Sequence, residues 1–221
     1  MFTLVAQQGA FDISPIWISL KVVVVATLVT ALAGIMLARW RMTYQGKLAS
    51  VLDIIFILPL ALPPTVIGLV LLLAFGNSSP VSAVINIIFT WHAAVVASII
   101  VSFPLMYQTA LASFKQIDAT LIDLARIDGF SEWKILWRVM VPLAWHGLAA
   151  GATLSFVRAL GEFGATLMIA GNIPGKTQTM PLAIFFSVEA GEIGYAVFLS
   201  CMNIAISITA IALINYFERR R

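Results

Sequence analysis

The few ionisable side chains that lie in apolar surroundings are the first guide to the chemistry of this sequence. Arg158 and Glu162 lie four residues apart, a spacing that places both on one face of a helix. His92 and His146 lie alone, without companion ligands at metal-binding spacing. No Ser–His–Asp set or carboxylate pair at catalytic spacing accompanies them. The pattern therefore argues against a catalytic centre and predicts no metal site.

Residues 170–177 nearly match the glycine-rich loop that binds nucleotide phosphates, because the stretch ends in Gly175, Lys176 and Thr177. Ala170 replaces the first glycine of that motif, and an apolar segment precedes it where the motif needs a strand. We therefore expect no nucleotide to bind here, and we assign Lys176 to contact with a partner.

Charge is concentrated in one segment, residues 118–142, which we call the polar loop. It carries Asp118, Asp123, Arg126, Asp128, Glu132, Lys134 and Arg138, although only 10% of the 221 residues are charged. Apolar residues make up 61% of the chain and the mean hydropathy is +1.01, whereas soluble domains are about 45–50% apolar. This excess predicts an integral membrane protein with one membrane domain over residues 1–221.

Five apolar stretches are long enough to cross about 30 Å of hydrocarbon, which requires helices because backbone groups in lipid must be satisfied internally. They cover residues 16–38, 52–75, 90–114, 139–160 and 195–217. The predicted fold class is therefore an all-α membrane protein with about five transmembrane helices. Kinks are predicted where Pro59, Pro63, Pro64 and Pro104 interrupt the second and third spans.

The basic residues predict the orientation. Ten of the 13 Lys and Arg residues lie between spans one and two, between spans three and four, or after span five. Basic residues mark cytoplasmic loops, so the N-terminus is predicted outside and the polar loop and C-terminus inside. Residues 171–194 then form an external re-entrant or interfacial segment, because their apolar run is too short to span. A sixth short span is the alternative.

The polar loop itself reads as two helices. Gly129 suits the left-handed residue that ends a first helix over 119–128, and Ser131 suits the N-cap of a second that runs into span four. Leu121, Leu124, Ala125 and Asp128 share one helical face. Such a face docks on a partner or on the membrane surface; a solvated linker is the alternative.

The polar loop also resembles the EAA loop of ATP-binding-cassette (ABC) importer permeases, which reads E-A-A, three residues, Gly, nine residues and I-x-L-P. The spacing matches throughout, with Ala125, Gly129 and Pro142 as in the motif and mild departures at Asp123, Leu124, Val139 and Val141. The resemblance implies a coupling loop at about 115–138 that docks in a groove of an ATP-hydrolysing subunit. It also implies that ATP and Mg are bound by that partner, with no cofactor in this chain. Its site residues are Asp118, Asp123, Leu124, Ala125, Asp128, Gly129, Ser131 and Pro142.

A second string, R-x-L-G-E-F-G-A-T from Arg158, resembles permeases for molybdate, tungstate and sulfate. This resemblance implies the type I importer (MetI-like) fold in a bacterial inner membrane, surrounded by lipid. The implied partners are a second copy of the chain, two cytoplasmic ABC ATPase subunits and an external oxyanion-binding protein, and no nucleic acid. The cargo that the resemblance implies is molybdate, with sulfate or tungstate as alternatives. A secondary transporter is the rival from another class.

The gate or pathway is predicted near the end of span four, at Ser155, Arg158, Gly161, Glu162 and Gly164. Ionisable residues at this depth usually face a bundle interior or water. Arg158 and Glu162 therefore form either a gate element or an ion pair that fixes the helix end. The small residues around Gly147 and Gly151 indicate close helix packing or, less commonly, a pathway wall.

Overall fold

The computed structural model describes residues 12–44, 46–76 and 87–219, and these segments contain helices and no strand. The helices are α1 Ser14–Thr43, α2 Lys47–Ala61, α3 Pro64–Phe75, α4 Trp91–Lys115, α5 Ala119–Ile127, α6 Glu132–Ile135, α7 Val141–Leu143, α8 Trp145–Leu160, α9 Gly164–Ala170, α10 Met180–Glu189 and α11 Ile193–Arg219, with a π-helical turn Leu136–Met140 between α6 and α7. Helices α1, α4 and α11 are long and apolar enough to cross a membrane. The number rises to as many as five, the number predicted, if each of two bent helix pairs makes one span.

Helices α1 and α4 pack side by side at the centre and run in the same direction. The Lys21 ammonium lies 3.7 Å from the ring centroid of Trp91, near the start of both helices. Further along both, Thr30 Oγ1 lies 3.4 Å from Ser102 Oγ. Because the two helices are parallel, the chain must cross back between them, so α2 and α3 together make one crossing.

The second span, predicted at 52–75 with kinks at its prolines, is broken more sharply than a kinked helix. It divides into α2 and α3, whose axes differ by 116°. Leu62 between them is extended, with φ −86° and ψ 143°, as is usual for a residue before proline. Pro63 and Pro64 also lack the N–H groups that would continue the helix.

The fourth span, predicted at 139–160, is divided as well, since the chain bends by 82° at Ala144. Pro142 has no N–H to donate and its ring crowds the preceding turn, and the π-helical turn lies directly before it. The apolar crossing therefore begins with α8. The second helix of the polar loop ends at Leu143 instead of running into the span.

Small residues bring α8 against α4 in the antiparallel direction. Gly147 faces Ser113 and Gly151 faces Thr109 so closely that a Cβ on either glycine would clash. This is the close approach that glycine permits between membrane helices. The packing interpretation of these glycines is therefore confirmed within the chain.

The segment after α9 returns to the end of the bundle where α1 begins. The Met180 N–H donates to Ser19 Oγ at 2.7 Å, and the Tyr195 hydroxyl donates to the Asp12 carbonyl at 2.6 Å. The starts of α10 and α11 thus lie at one face of the bundle, which we call the far face. Helices α5 and α6 lie at the opposite end, the loop face, beside the end of α1.

Gly68 in α3 tests the packing of the broken second span. A Cβ there would lie 2.7 Å from Met168 Cβ and 2.9 Å from Ala165 Cα, with backbone on the crowded side. Gly68→Leu should therefore destabilise the fold by about 1–3 kcal/mol, measured as a lower melting temperature of the detergent-solubilised protein. The control is Gly194→Leu, where no atom lies within 4 Å. Equal melting temperatures for the two variants would contradict this packing.

Candidate functional site

The start of α5 is fixed by Asp118, one of the residues predicted to form the coupling loop. Its carboxylate accepts the Thr120 backbone N–H at 2.9 Å and so caps the helix. This backbone hydrogen bond, followed by one from the Thr120 side chain, lowers the pKa of Asp118 below its usual value. The carboxylate is therefore ionised at the positive end of the helix dipole.

Gly129 ends α5, as predicted. Its φ is +80°, in the left-handed region that favours glycine. The Gly129 N–H donates to the Arg126 carbonyl and the Phe130 N–H to the Ala125 carbonyl, both at 3.0 Å. These two bonds are those of a Schellman motif. Asp128 lies at the C-cap, so the helix ends one residue earlier than predicted.

Ser131 then begins the second helix, which also confirms the prediction. Its hydroxyl accepts the Lys134 N–H at 3.4 Å, and Glu132 occupies the first turn. The Schellman motif and this N-cap leave only four residues between α5 and α6. The turn between the two helices is therefore tightly specified by local hydrogen bonds.

Helix α5 has an inner and an outer apolar face. Ile122 and Ala125 are buried against the core of the chain itself. Leu121, Leu124 and Ile127 point outward and are 45%, 51% and 81% exposed. The predicted docking face is therefore wrong in including Ala125, because this small side chain faces inward while Leu121 and Leu124 face outward.

The outward apolar residues continue past the turn. Besides Leu121, Leu124 and Ile127, Phe130 is 37% exposed and Trp133 is 59% exposed; we call these five residues the outer apolar set. Sequence reasoning missed Ile127, Phe130 and Trp133, although spacing by threes from Leu121 was a visible signal. Exposed apolar residues at one site mark a surface that contacts lipid or protein.

A chain of ion pairs joins the polar loop to α1. Arg126 binds Asp123 and Glu132 at 2.8 Å each, and the second oxygen of Glu132 binds Arg39 of α1. The hydrogen bond from Arg126, helped by the nearby charge of Arg39, lowers the pKa of Glu132. Sequence reasoning missed this link because Arg39 and Glu132 lie 93 positions apart.

A second ion pair lies at the same end of α1. Arg41 binds Asp53 of α2 at 2.8 Å, and the Tyr107 hydroxyl of α4 donates to the same carboxylate. Arg39 and Arg41 lie between spans one and two and count toward the predicted cytoplasmic side. Their ion pairs show that they are also structural. They connect α1 to α2, to α4 and to the polar loop.

The residues predicted as a gate form the joint between α8 and α9. Arg158 Nη1 binds Glu162 Oε2 at 2.9 Å, which confirms the ion pair, and the other oxygen of Glu162 accepts the Ala165 N–H at 2.9 Å. Gly161 is the C-cap of α8. A Cβ on Gly164 would lie 3.1 Å from Pro64, so this residue packs on α3.

Ser155 lies apart from that joint. It is fully buried, and its hydroxyl donates to the Ser102 carbonyl of α4 at 3.3 Å. Within the chain it therefore belongs to the contact between α4 and α8. A gate or pathway role for Ser155, Arg158, Gly161, Glu162 and Gly164 stays a prediction.

In the loop that nearly matches the nucleotide-binding motif, the Thr177 hydroxyl is already hydrogen-bonded to the backbone of the same loop. Thr177 Oγ1 donates to the Gly171 carbonyl at 3.0 Å and accepts the Ile173 N–H at 3.1 Å. In the phosphate-binding motif the threonine is free to meet a metal ion. Among the described residues, no group of three or more His, Cys, Asp or Glu side chains is placed to hold a metal.

The sequence matches a family of transport proteins. The model of the "Binding-protein-dependent transport system inner membrane component" family covers residues 30–221. The molybdenum transport system permease protein ModB of Escherichia coli (strain K12) is 35% identical over 213 residues, 91% of each chain. YvgM of Bacillus subtilis (strain 168), named as a candidate molybdenum transport permease, is 46% identical over 81% of this chain and 82% of its own.

One further relative and two solved structures are similar. A candidate sulfate transport system permease protein, cysT of Chlorella vulgaris, is 33% identical over 87% of this chain and 74% of its own. A chain of a bacterial alginate ABC transporter matches with a TM-score of 0.78 at 15% identity, covering 96% of this chain and 80% of that one. A chain of the MetNI methionine ABC transporter matches with a TM-score of 0.68 at 19% identity, covering 95% of this chain and 94% of that one.

Gly129→Val should disturb the turn of the polar loop while leaving the rest of the fold intact. No atom lies within 4 Å of a Cβ there, so the cost is the left-handed backbone alone, about 1–2 kcal/mol for a non-glycine residue. That is roughly a five- to thirtyfold loss of the correctly turned loop. We expect normal membrane insertion and a matching loss of co-purifying ATPase subunit.

The control is Gly191→Val, because Gly191 has φ +79° and also has no atom within 4 Å of a Cβ. It carries the same backbone strain at the far face. Equal ATPase recovery from both variants would contradict the role of the Gly129 turn.

The Arg39–Glu132 link can be tested by a double-mutant cycle. The two single variants are Glu132→Gln and Arg39→Gln, and the cycle is completed by the double variant. Their stability effects should be non-additive by about 0.5–3 kcal/mol. Additive effects would show that the pair does not act as a unit.

The pH dependence follows from the lowered pKa of Glu132. Its stabilising contribution is present above the usual value of 4.5 and is lost as the pH falls below it. The difference in melting temperature between wild type and Glu132→Gln should therefore persist at neutral pH and vanish in acid. A difference that grows in acid would contradict this assignment.

Proposed function

The chain belongs to the family of binding-protein-dependent transport system inner membrane components, and we propose that the cargo it carries is molybdate. As a member, it is a multi-pass inner membrane protein and the transmembrane subunit of an ABC importer. It is not an enzyme, since ATP hydrolysis lies in a separate subunit. Molybdate is supported by relatives named for molybdenum transport that match over four fifths or more of this chain.

The observation that carries the coupling role is the outer apolar set on α5 and the following turn. Its five side chains are exposed in the single chain, while the inner face of α5 is anchored on the core. An amphipathic helix presented in this way fits a groove on a partner. We assign that partner as an ABC ATPase subunit, with ATP and Mg bound there.

The loop face is cytoplasmic in this proposal and the far face is external. Ten of the 13 basic residues support that orientation. Segment 171–194, which includes α10, then lies outside as a re-entrant or interfacial segment where an oxyanion-binding protein docks. Two copies of the chain enclose the path, because five spans make too thin a bundle to surround a gated pore alone.

Transport follows an alternating-access cycle in this proposal. Closure of two ATPase subunits draws two polar loops together, and the ion pairs from Asp123 through Glu132 to Arg39 carry the displacement into α1. Nucleotide and the loaded binding protein each bias the equilibrium between inward-open and outward-open states. The Arg158–Glu162 joint lies at the other end of α8, where a change in its angle would open or close the outer gate.

Sulfate is the second cargo to consider, because relatives named for sulfate transport are 32–33% identical over most of this chain. Sulfate and molybdate are both tetrahedral dianions. Discrimination between them is expected mainly in the external binding protein. The secondary-transporter alternative is set aside by the family membership.

Uptake of labelled molybdate tests the proposed cargo. A deletion strain that expresses the chain with its ATPase and binding protein should accumulate molybdate, and excess sulfate should compete weakly. The matched control is the same strain with Gly129→Val, in which coupling is lost but the chain is inserted. Rescue of sulfate uptake alone would reject molybdate while leaving the transporter class in place.

A further inference from the structure

A cavity of about 440 Å³ opens at the far face, away from the polar loop and from the Arg158–Glu162 joint. Its lining combines residues of α1, of the turn before α4 and of the loop after α9. The lining residues are Ile18, Lys21, Phe89, Thr90, Trp91, Gly175 and Lys176. Lys21 and Lys176 are, with Arg158, the only three basic residues outside the segments predicted to be cytoplasmic.

Neither lysine of this cavity is neutralised by a carboxylate in the described part of the chain, where every ion pair involves an arginine. The Lys21 ammonium rests on the face of the Trp91 ring, which orients a cation without cancelling its charge. Residues 1–11 and 77–86, which the structure does not describe, contain no Asp or Glu in their sequence. The positive charge of the cavity is therefore available to a ligand.

The start of α4 adds to this positive charge. Thr90 occupies the N-cap position, but its hydroxyl donates to the Ile87 carbonyl and does not cap the helix. The first N–H groups of a helix lack intrahelical partners, and the helix dipole makes that end positive. A helix of 25 residues thus directs its positive end at the same cavity as the two lysines.

The wall of the cavity is held in an unusual backbone conformation. Phe89 has φ +57° and is the one non-glycine residue with positive φ in the described segments. Its N–H is fixed by the Ile169 carbonyl at 3.1 Å, and a Cβ on Gly171 would lie 3.0 Å from its ring. Strained residues persist where the surroundings over-determine them, often at binding sites.

We propose that this cavity is a binding site for a tetrahedral oxyanion with two negative charges, held by Lys21, Lys176 and the start of α4. The inference rests on the proposed function, since it places a site for the same cargo on the permease itself. Two ammonium groups and the positive end of the α4 dipole match the charge of such an anion, and the ammonium N–H groups match its acceptor oxygens. An anion released from a binding protein at the external face would meet this site first.

Direct binding to the purified permease–ATPase complex, without binding protein, tests the site. The probe is labelled molybdate, with labelled sulfate as a second probe, and the complex is held in nanodiscs of a galactolipid that contains no phosphate. Wild type should bind saturably. Lys21→Gln and Lys176→Gln should each weaken binding about tenfold, the effect of losing one charge-assisted hydrogen bond.

Charge-retaining variants provide the matched control. Lys21→Arg and Lys176→Arg should bind within a few fold of wild type. These four variants and the double Gln variant are first checked for an unchanged melting temperature, so that loss of binding is not loss of fold. Binding that is absent in wild type, or unchanged when both lysines are Gln, would overturn the proposal.

A lipid phosphate has the same chemistry, and a second arm separates it from the free anion. In nanodiscs of phosphatidylglycerol, molybdate should still bind. If it binds only in galactolipid, and if phospholipid co-purifies with the wild type but not with the double Gln variant, the occupant is a lipid and the proposal fails.

A parallel uptake assay keeps this proposal separate from the proposed cargo. If wild type takes up no molybdate in cells, the proposed function fails. If uptake is normal while the purified complex shows no lysine-dependent binding, only the site at the far face fails.

Discussion

The parallel packing of α1 on α4 is the constraint from which the rest of the architecture follows. Contacts that advance together along both helices, from Lys21 and Trp91 to Thr30 and Ser102, make their starts share one face of the bundle. The chain between them must therefore cross back, although Pro63 and Pro64 break any continuous helix there. The far-face cavity and the ion pairs of the loop face lie at the two ends of this same central pair.

The two ends of α1 differ in how their cations are used. At the loop face, Arg39 and Arg41 each bind a carboxylate of another helix, Glu132 of α6 and Asp53 of α2, so this end is a structural junction. At the far face, Lys21 is oriented by an aromatic ring and keeps its charge. Basic residues therefore have different structural roles at the two ends of α1. Counting Lys and Arg residues on each side of the membrane cannot reveal this difference.

Much of the fold and of the polar loop follows from local sequence, and the rest depends on distant contacts. Gly129 and Ser131 predict the turn between α5 and α6 because left-handed glycine and a hydroxyl N-cap are local devices. The sequence predicts neither the 116° nor the 82° bend of the two broken spans. Proline permits any angle from a mild kink to a reversal, and the packing of the neighbouring helices determines which angle is adopted. The sequence could not predict that Ala125 points inward or that Arg39 binds Glu132, because both depend on how the polar loop packs on the core.

The bend at Ala144 gives the polar loop a mechanical property. The helical segment Glu132–Leu143 lies at 82° to α8, so the two together have the shape of a bent lever. In the proposed coupling role of the polar loop, a displacement of α5 along the axis of α8 would therefore reach α8 as a torque about the bend.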